Sequence, residues 1–143
     1  MQAQMLAPAA VLVAWTLIVM VWMMATRLPA LAKTGIDLRS AKPGGRGQDL
    51  EGVLDDRTNW KAHNYMHLLE QPTLFYAAVV IVALLGASAT DVLVAWGYVG
   101  LRILHSVWQA TVNRIPVRLL LFALATACLV TLAIRAIMLT MFA

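Results

Sequence analysis

The stretch that decides the fold is His63-Asn64-Tyr65-Met66-His67-Leu68-Leu69-Glu70-Gln71-Pro72, in which polar side chains open an otherwise apolar segment. A second polar stripe has intervals of four, three, four and four residues, and consists of Tyr98, Arg102, His105, Gln109 and Asn113. These intervals place all five side chains on one face of an α-helix. Ionisable groups in membrane helices usually face a bundle interior or a wet cavity. The two segments therefore predict a polar site enclosed between helices.

Composition excludes an ordinary soluble domain. Hydrophobic residues make up 62% of the 143 residues and charged residues 13%, whereas soluble domains have about 45–50% and about 25%. The formal net charge is +4, but most Lys and Arg residues lie between residues 27 and 61, interleaved with acidic residues. A mixed-charge loop beside a bilayer explains that placement better than a nucleic-acid patch does. We therefore expect contact with membrane lipids and no nucleic-acid partner.

Four apolar segments predict an all-α integral membrane four-helix bundle, forming one domain over residues 1–143. The helices are expected at about 5–27, 62–85, 92–112 and 117–141, with a charged, glycine-containing cytoplasmic loop over 28–61. Each segment is close to the length of about 20 residues that crosses the hydrocarbon core. Pro72 predicts a kink in the second helix, where neighbouring helices can satisfy the freed carbonyl.

The first apolar segment has two interpretations. A cleaved signal peptide would use Ala30-Leu31-Ala32 as its cleavage site, but residues 1–26 contain no Lys or Arg, which favours a retained helix. Basic residues are concentrated in the 28–61 loop and in the turn at 113–118, and this asymmetry places both termini on the non-cytoplasmic side. The short loops and the lack of a retention signal favour a bacterial inner membrane.

The depths of the two polar stripes can be compared, because the second and third helices run antiparallel. Counted from Lys61 and Asn113, Glu70 lies nine residues in and His105 eight, which is roughly 12–14 Å at about 1.5 Å per residue. Arg102 is about one turn deeper, and a carboxylate and a guanidinium at similar depth in hydrocarbon should pair. The pair could be only an internal strut. The surplus of polar groups around it favours a cavity open to the cytoplasm, binding a polar or anionic group.

A metal site is the competing interpretation of these side chains. His63, His67 and Glu70 are spaced i, i+4 and i+7, and His105 could add a further ligand. Imidazole and carboxylate suit zinc or iron. However, two histidines four residues apart arise easily by chance, and Asn64 replaces the usual Glu beside the first histidine. We therefore predict no metal.

The polar motifs of the third and fourth helices read Arg102-Ile-Leu-His105-Ser-Val-Trp-Gln109 and Arg114-Ile-Pro116-Val-Arg118. They resemble the signatures of the MAPEG family, the membrane-associated proteins of eicosanoid and glutathione metabolism. That family has Arg-x-x-His-x-x-x-Tyr on its third helix and Arg-x-Pro-x-Arg at the start of its fourth. Its second helix carries Arg-Asn-x-x-Glu followed by Pro-Phe. The resemblance covers about residues 56–133.

This resemblance implies a homotrimer with sites between adjacent protomers near the cytoplasmic side. Catalytic members bind glutathione there and activate its thiol for conjugation, isomerisation or peroxide reduction, while other members are binding proteins. The resemblance makes Arg102 and Arg118 the candidate catalytic residues. Together with the polar stripes, it gives a set of candidate glutathione-binding residues: Asn64, His67, Glu70, His105, Gln109 and Arg27.

The chain departs from the family pattern at several of these positions. His63 stands where glutathione-using members usually have Arg, and His67 stands at the position of the Glu. Gln109 replaces the Tyr, and Leu119 follows Arg118 where some members have Ser. Two functions therefore remain open. One is a glutathione- or thiol-dependent transferase or peroxidase acting on lipophilic small molecules; the other is a non-catalytic protein that binds lipid or serves as an accessory subunit of a membrane complex.

Overall fold

The computed structural model describes residues 1–142, which form five α-helices and no strands. The expectation of an all-α chain is confirmed. Two short 3-10 turns, Leu38–Ser40 and Gly47–Leu50, lie in the long connection after the first helix. In chain order the helices are α1 (Gln2–Lys33), α2 (Asp56–Leu68), α3 (Pro72–Leu85), α4 (Ala89–Thr111) and α5 (Ile115–Met141).

The first helix and the start of the second extend beyond the sequence-based bounds. Helix α1 continues past Arg27 to Lys33 and ends just before Gly35, whose φ of 72° favours glycine. Helix α2 begins at Asp56 because the side chain of Asp55 accepts a hydrogen bond from the Thr58 backbone N–H, as an N-cap does. The connecting loop is thus shorter than 28–61. A charged residue such as Arg27 indicates where a helix leaves the membrane, but the helix itself can continue beyond that point.

At the kink expected at Pro72, the helix is interrupted by a turn. Residues 69–71 form a turn, and α3 starts at Pro72, a residue that suits a first helical position. Gln71 is hydrogen bonded to both neighbouring long helices: the Tyr98 hydroxyl donates to Gln71 Oε1 at 3.2 Å, and Gln71 Nε2 donates to Thr126 Oγ1 at 2.9 Å. Side chains from α4 and α5 therefore hold the interruption in place.

Helix α4 lies against α5 and α1, and its first residues follow α3 through a short turn. Helix α1 also contacts α2 and α3, and α5 contacts α3, so that all the helices share one core. Phe75 of α3 stacks on Tyr98 of α4 with ring centroids 4.3 Å apart. The interior includes fully buried apolar side chains from each long helix, among them Leu12, Val79, Val82 and Leu132.

Three segments are long and apolar enough to cross a membrane: Gln2–Lys33, Asp56–Leu85 (α2 and α3 together) and Ile115–Met141. Large apolar side chains on their outer faces are exposed, including Leu17, Val21, Leu84 and Ile137. Exposed apolar surface of this extent is characteristic of contact with lipid. The chain is an integral membrane protein. Helix α4 carries the polar stripe on its buried face.

Candidate functional site

The polar stripe of α4 is buried, as its spacing predicts. Tyr98, Arg102, His105 and Gln109 all point into the protein, and Arg102 has no exposed surface. Asn113 is an exception, because α4 ends at Thr111 and Asn113 adopts a left-handed conformation with a φ of 54°. Asparagine tolerates that conformation better than most residues do.

Arg102 contacts the interruption between α2 and α3. Its Nη2 donates a hydrogen bond of 3.2 Å to the backbone carbonyl of His67. This carbonyl also accepts from the backbone N–H of Glu70 at 3.4 Å, so Arg102 adds a second donor at the last turn of α2.

The expected ion pair between Glu70 and Arg102 is wrong. Among residues 1–142, the only ionic partner within 4.0 Å of Glu70 is His67, whose Nδ1 lies 3.2 Å from Glu70 Oε2. The Glu70 side chain is 68% exposed, while Arg102 is fully buried. The predicted pair requires a continuous helix through residue 70, whereas α2 ends at Leu68 and residues 69–71 form a turn. The carboxylate of Glu70 consequently lies outside the stripe.

His67 and His105 do meet, as neighbours in an aromatic cluster. Their ring centroids are 4.9 Å apart in an edge-to-face arrangement, and the Phe122 ring of α5 stacks on His67 at 5.5 Å. Phe122 was not among the predicted site residues, all of which are polar. Its spacing of four from Arg118, on the same face of α5, is the signal that would have found it.

The cluster opens into a cavity of about 220 Å³. Arg118 lies on its wall, and the Arg118 Nη1 donates a 2.6 Å hydrogen bond to the side-chain oxygen of Asn113. The left-handed Asn113 therefore orients the cationic side chain on this wall. The complete lining is one arginine, two imidazoles and three apolar side chains: Arg118, His67, His105, Ile115, Leu119 and Phe122.

Three buried side chains of α2 and α4, outside the lining of this cavity, carry polar atoms that make no hydrogen bond to the described part of the chain. They are both amide atoms of Asn64, Nε and Nη1 of Arg102, and Oε1 of Gln109. Asn64 lies one turn before His67 on the same face of α2. Buried polar groups are normally hydrogen bonded, so these three side chains have capacity to bind water or a polar ligand.

Arg27 lies elsewhere. It lines a separate cavity of about 230 Å³ with Gln48, Glu51 and His63, and its guanidinium donates to the backbone carbonyl of Gly47. The two cavities share no lining residue. Within one chain, the structure therefore does not bring Arg27 together with Arg118.

The alternative metal site does not assemble. In the part of the chain that the structure describes, no three His, Cys, Asp or Glu side chains are placed to hold one ion. His63 instead contacts Glu51 of the loop, with 2.7 Å between Nε2 and Oε1. His67 contacts Glu70, so the two histidines that were spaced as ligands have different carboxylate partners.

Comparison with known proteins identifies the family. A model of the MAPEG family matches residues 5–138, nearly the whole chain. Neither the curated proteins nor the solved structures contain a significant match. The motifs on α4 and at the start of α5 fall inside the matched range, and so do the cavity residues described above. The chain belongs to the MAPEG family.

Proposed function

We propose that this MAPEG protein is a glutathione- or thiol-dependent transferase or peroxidase that acts on lipophilic small molecules. The observation that carries the proposal is the cavity in which Arg118 lies beside two imidazoles and three apolar side chains. A membrane enzyme of this class must hold a charged sulfur next to an apolar substrate. The cavity offers a surface for each.

The cation in this cavity suits a thiolate. A nearby guanidinium stabilises the ionised thiol relative to the neutral one, and Arg is always charged. The hydrogen bond to Asn113 fixes the position of the Arg118 side chain. Ile115, Leu119 and Phe122 supply the apolar wall, against which a lipophilic substrate can approach the sulfur.

The spare hydrogen-bonding groups support binding of the rest of a peptide-like thiol. Arg102 retains two unused donor nitrogens, and Asn64 has an unused donor and acceptor. Glutathione has two carboxylates and two amides, so donors and acceptors together match its chemistry. In this proposal, Asn64, Arg102 and Gln109 bind the glutathione backbone, and His67, His105 and Arg118 surround the sulfur.

We further propose that the protein forms a homotrimer with its termini on the non-cytoplasmic side. The exposed Glu70 side chain supports assembly, because it lies within a membrane-crossing segment. A carboxylate facing lipid is costly, and a neighbouring subunit would cover it.

A second function is favoured by Gln109. This position carries an amide where the family pattern has a tyrosine hydroxyl, so the chain lacks one thiol-activating group. A non-catalytic protein that binds an anionic lipid in the same cavity, or serves as an accessory subunit, would not need that group. The two functions predict different ligands.

Thermal unfolding of the purified protein in nanodiscs distinguishes them. We expect millimolar glutathione to raise the melting temperature of the unmodified protein, and Arg118→Leu to abolish the shift. Arg114→Leu is the matched control, because Arg114 is exposed and lies outside the cavity. If glutathione leaves the melting temperature unchanged while anionic lipid raises it, the binding-protein function replaces the transferase.

A further inference from the structure

His67 and Glu70 form a histidine–carboxylate dyad at the cavity. The Nδ1 of His67 lies 3.2 Å from Glu70 Oε2, so the proton of a neutral imidazole is held on Nδ1 and the lone pair lies on Nε2. Nε2 makes no hydrogen bond to any residue that the structure describes. The imidazole is therefore in the tautomer that can accept a proton from a ligand.

The position of the His67 ring is fixed from several sides. Phe122 stacks on it, the His105 ring contacts it edge-to-face, and the His67 backbone carbonyl accepts from Arg102. The interruption before Pro72 brings Glu70 back to the imidazole three residues later in the chain. A base held by a third group, next to the place where a nucleophile would lie, is the usual arrangement for activating a nucleophile.

We propose that His67 is the general base that takes the proton of the bound thiol, with Glu70 as its positioning residue. The proposal rests on the proposed function and names the group that replaces the missing tyrosine. Arg118 then stabilises the thiolate but takes no proton. This division of roles follows from the chemistry, because a guanidinium does not lose its proton in proteins and cannot serve as a base.

For an α,β-unsaturated aldehyde the step is balanced within the site. The S–H proton moves to Nε2 of His67, and the thiolate sulfur forms a bond to the β-carbon. The π electrons of the C=C bond move towards the carbonyl and give an enolate. The imidazolium returns its proton to the α-carbon, so that the net reaction is addition of the thiol across the double bond.

The charged and titratable groups around His67 are consistent with this role. Among residues 1–142, Glu70 is the only anion paired with it, and the neighbouring helices contribute His105 and Arg102 from α4 and Arg118 from α5. The cations favour a thiolate in the cavity, and the Glu70 carboxylate balances the imidazolium that forms beside it. The carboxylate also fixes the tautomer, as the acid of a catalytic triad does.

The chain contains a second histidine–glutamate pair that serves as a control. His63 and Glu51 are in closer contact, at 2.7 Å, but they line the cavity of Arg27 and not that of Arg118. Loss of a general base typically lowers a rate by about 10²–10⁴-fold. We expect His67→Gln to lower kcat by about 10²-fold or more, and His63→Gln to leave it within about twofold.

The experiment measures thiolate absorbance and the rate of glutathione addition to a long-chain α,β-unsaturated aldehyde, in nanodiscs, from about pH 5 to about pH 9. The unmodified protein should show a rate that rises with pH and then levels off. The rate of the His67→Gln variant should show no plateau, and should instead rise with pH in proportion to the thiolate fraction of free glutathione. It should still bind glutathione, as seen by thermal shift. A pH profile of His67→Gln identical to that of the unmodified protein would overturn the role of His67.

Glu70 is tested by a conservative and a non-conservative variant. Glu70→Gln retains an acceptor for Nδ1–H of His67 and should keep kcat within about tenfold of the unmodified protein. Glu70→Leu has no such acceptor, and its kcat should be about tenfold lower again at unchanged KM. Equal kcat for both variants would overturn the positioning role. If the unmodified protein neither binds glutathione nor shows thiolate absorbance, the proposed function itself fails and the dyad assignment fails with it. If glutathione binding and thiolate formation both persist in His67→Gln, only the assignment of the dyad is rejected.

Discussion

The Nη2 of Arg102 lies 3.2 Å from the backbone carbonyl of His67, and this hydrogen bond joins α4 to the end of α2. Arg102 is fully buried, so the contact is made away from bulk water. A hydrogen bond to a charged donor contributes about 1.5–3 kcal/mol in such settings. The same side chain therefore supports the interruption before Pro72 and holds the segment that carries His67.

A double-mutant cycle separates this contact from the ion pair that depth alone would predict. We expect Arg102→Met to lower the melting temperature, and Glu70→Gln to have little effect. The double variant should be additive within about 0.5 kcal/mol, because the two side chains are not paired. Chemical or thermal unfolding in detergent measures each variant. A coupling energy above about 1 kcal/mol would show that the two charges interact directly.

Helical spacing was sufficient to predict which side of α4 is buried. Tyr98, Arg102, His105 and Gln109 repeat at helical intervals, and any continuous helix places them together. The same rule failed for Asn113 and Glu70, since each lies just beyond a helix end. There the chain changes direction, and counting residues no longer gives a position. The motif from Arg102 to Gln109 lies within the uninterrupted helix α4, so its spacing corresponds directly to one buried face.

Spacing alone does not show which side chains of the site contact one another. The spacing of Phe122 from Arg118 places it on the correct face of α5, but its stacking on His67 depends on how α5 lies against α2. The His67–Glu70 pair depends on the geometry of a three-residue turn. Only the placement of side chains in three dimensions distinguishes this dyad from the metal ligands that spacing alone allowed.

The hydroxyl of Tyr98 stabilises the interruption through Gln71. Tyr98→Phe leaves Gln71 Oε1 without its donor while keeping the ring that stacks on Phe75. We expect a loss of about 0.5–1.5 kcal/mol, the usual contribution of one hydrogen bond. Tyr65→Phe is the control, because the Tyr65 hydroxyl has no hydrogen bond among the described residues. Equal effects of the two variants in thermal unfolding would count against a role for Gln71.

At the opposite end of the bundle, Asp91 joins the start of α4 to α5. Its carboxylate accepts from the backbone N–H of Ser88 at 2.8 Å in a capping box, and from Arg135 Nε at 3.3 Å. Asp91→Ala removes both interactions, while Arg135→Leu leaves the cap intact. We therefore expect Asp91→Ala to be the more destabilising change, by about the 0.5–2 kcal/mol of a helix cap. A larger effect of Arg135→Leu in thermal unfolding would show that the ion pair dominates.

The N-terminal end of α2 should be less stable at low pH. The hydrogen bond from the Thr58 hydroxyl holds the pKa of the Asp55 carboxyl below its ordinary value of 3.8. Because the folded pKa is depressed, the contribution of Asp55 to stability is present above the unfolded pKa of about 3.9 and is lost as the pH falls through the folded pKa. Asp55→Asn keeps an N-cap acceptor that does not titrate.

We therefore expect the unmodified protein to melt above Asp55→Asn at pH values over about 5, where the charged cap also interacts with the helix dipole. This advantage should shrink below about pH 4 and vanish in stronger acid. Thr58→Val removes the hydroxyl that lowers the pKa of Asp55. The melting temperature of Thr58→Val should therefore lose its advantage over that of the Thr58→Val/Asp55→Asn double variant at a higher pH. Thermal unfolding of the four proteins across a pH series provides the measurement. A difference between the unmodified protein and Asp55→Asn that stays constant into strong acid would mean that the Asp55 carboxylate does not cap α2.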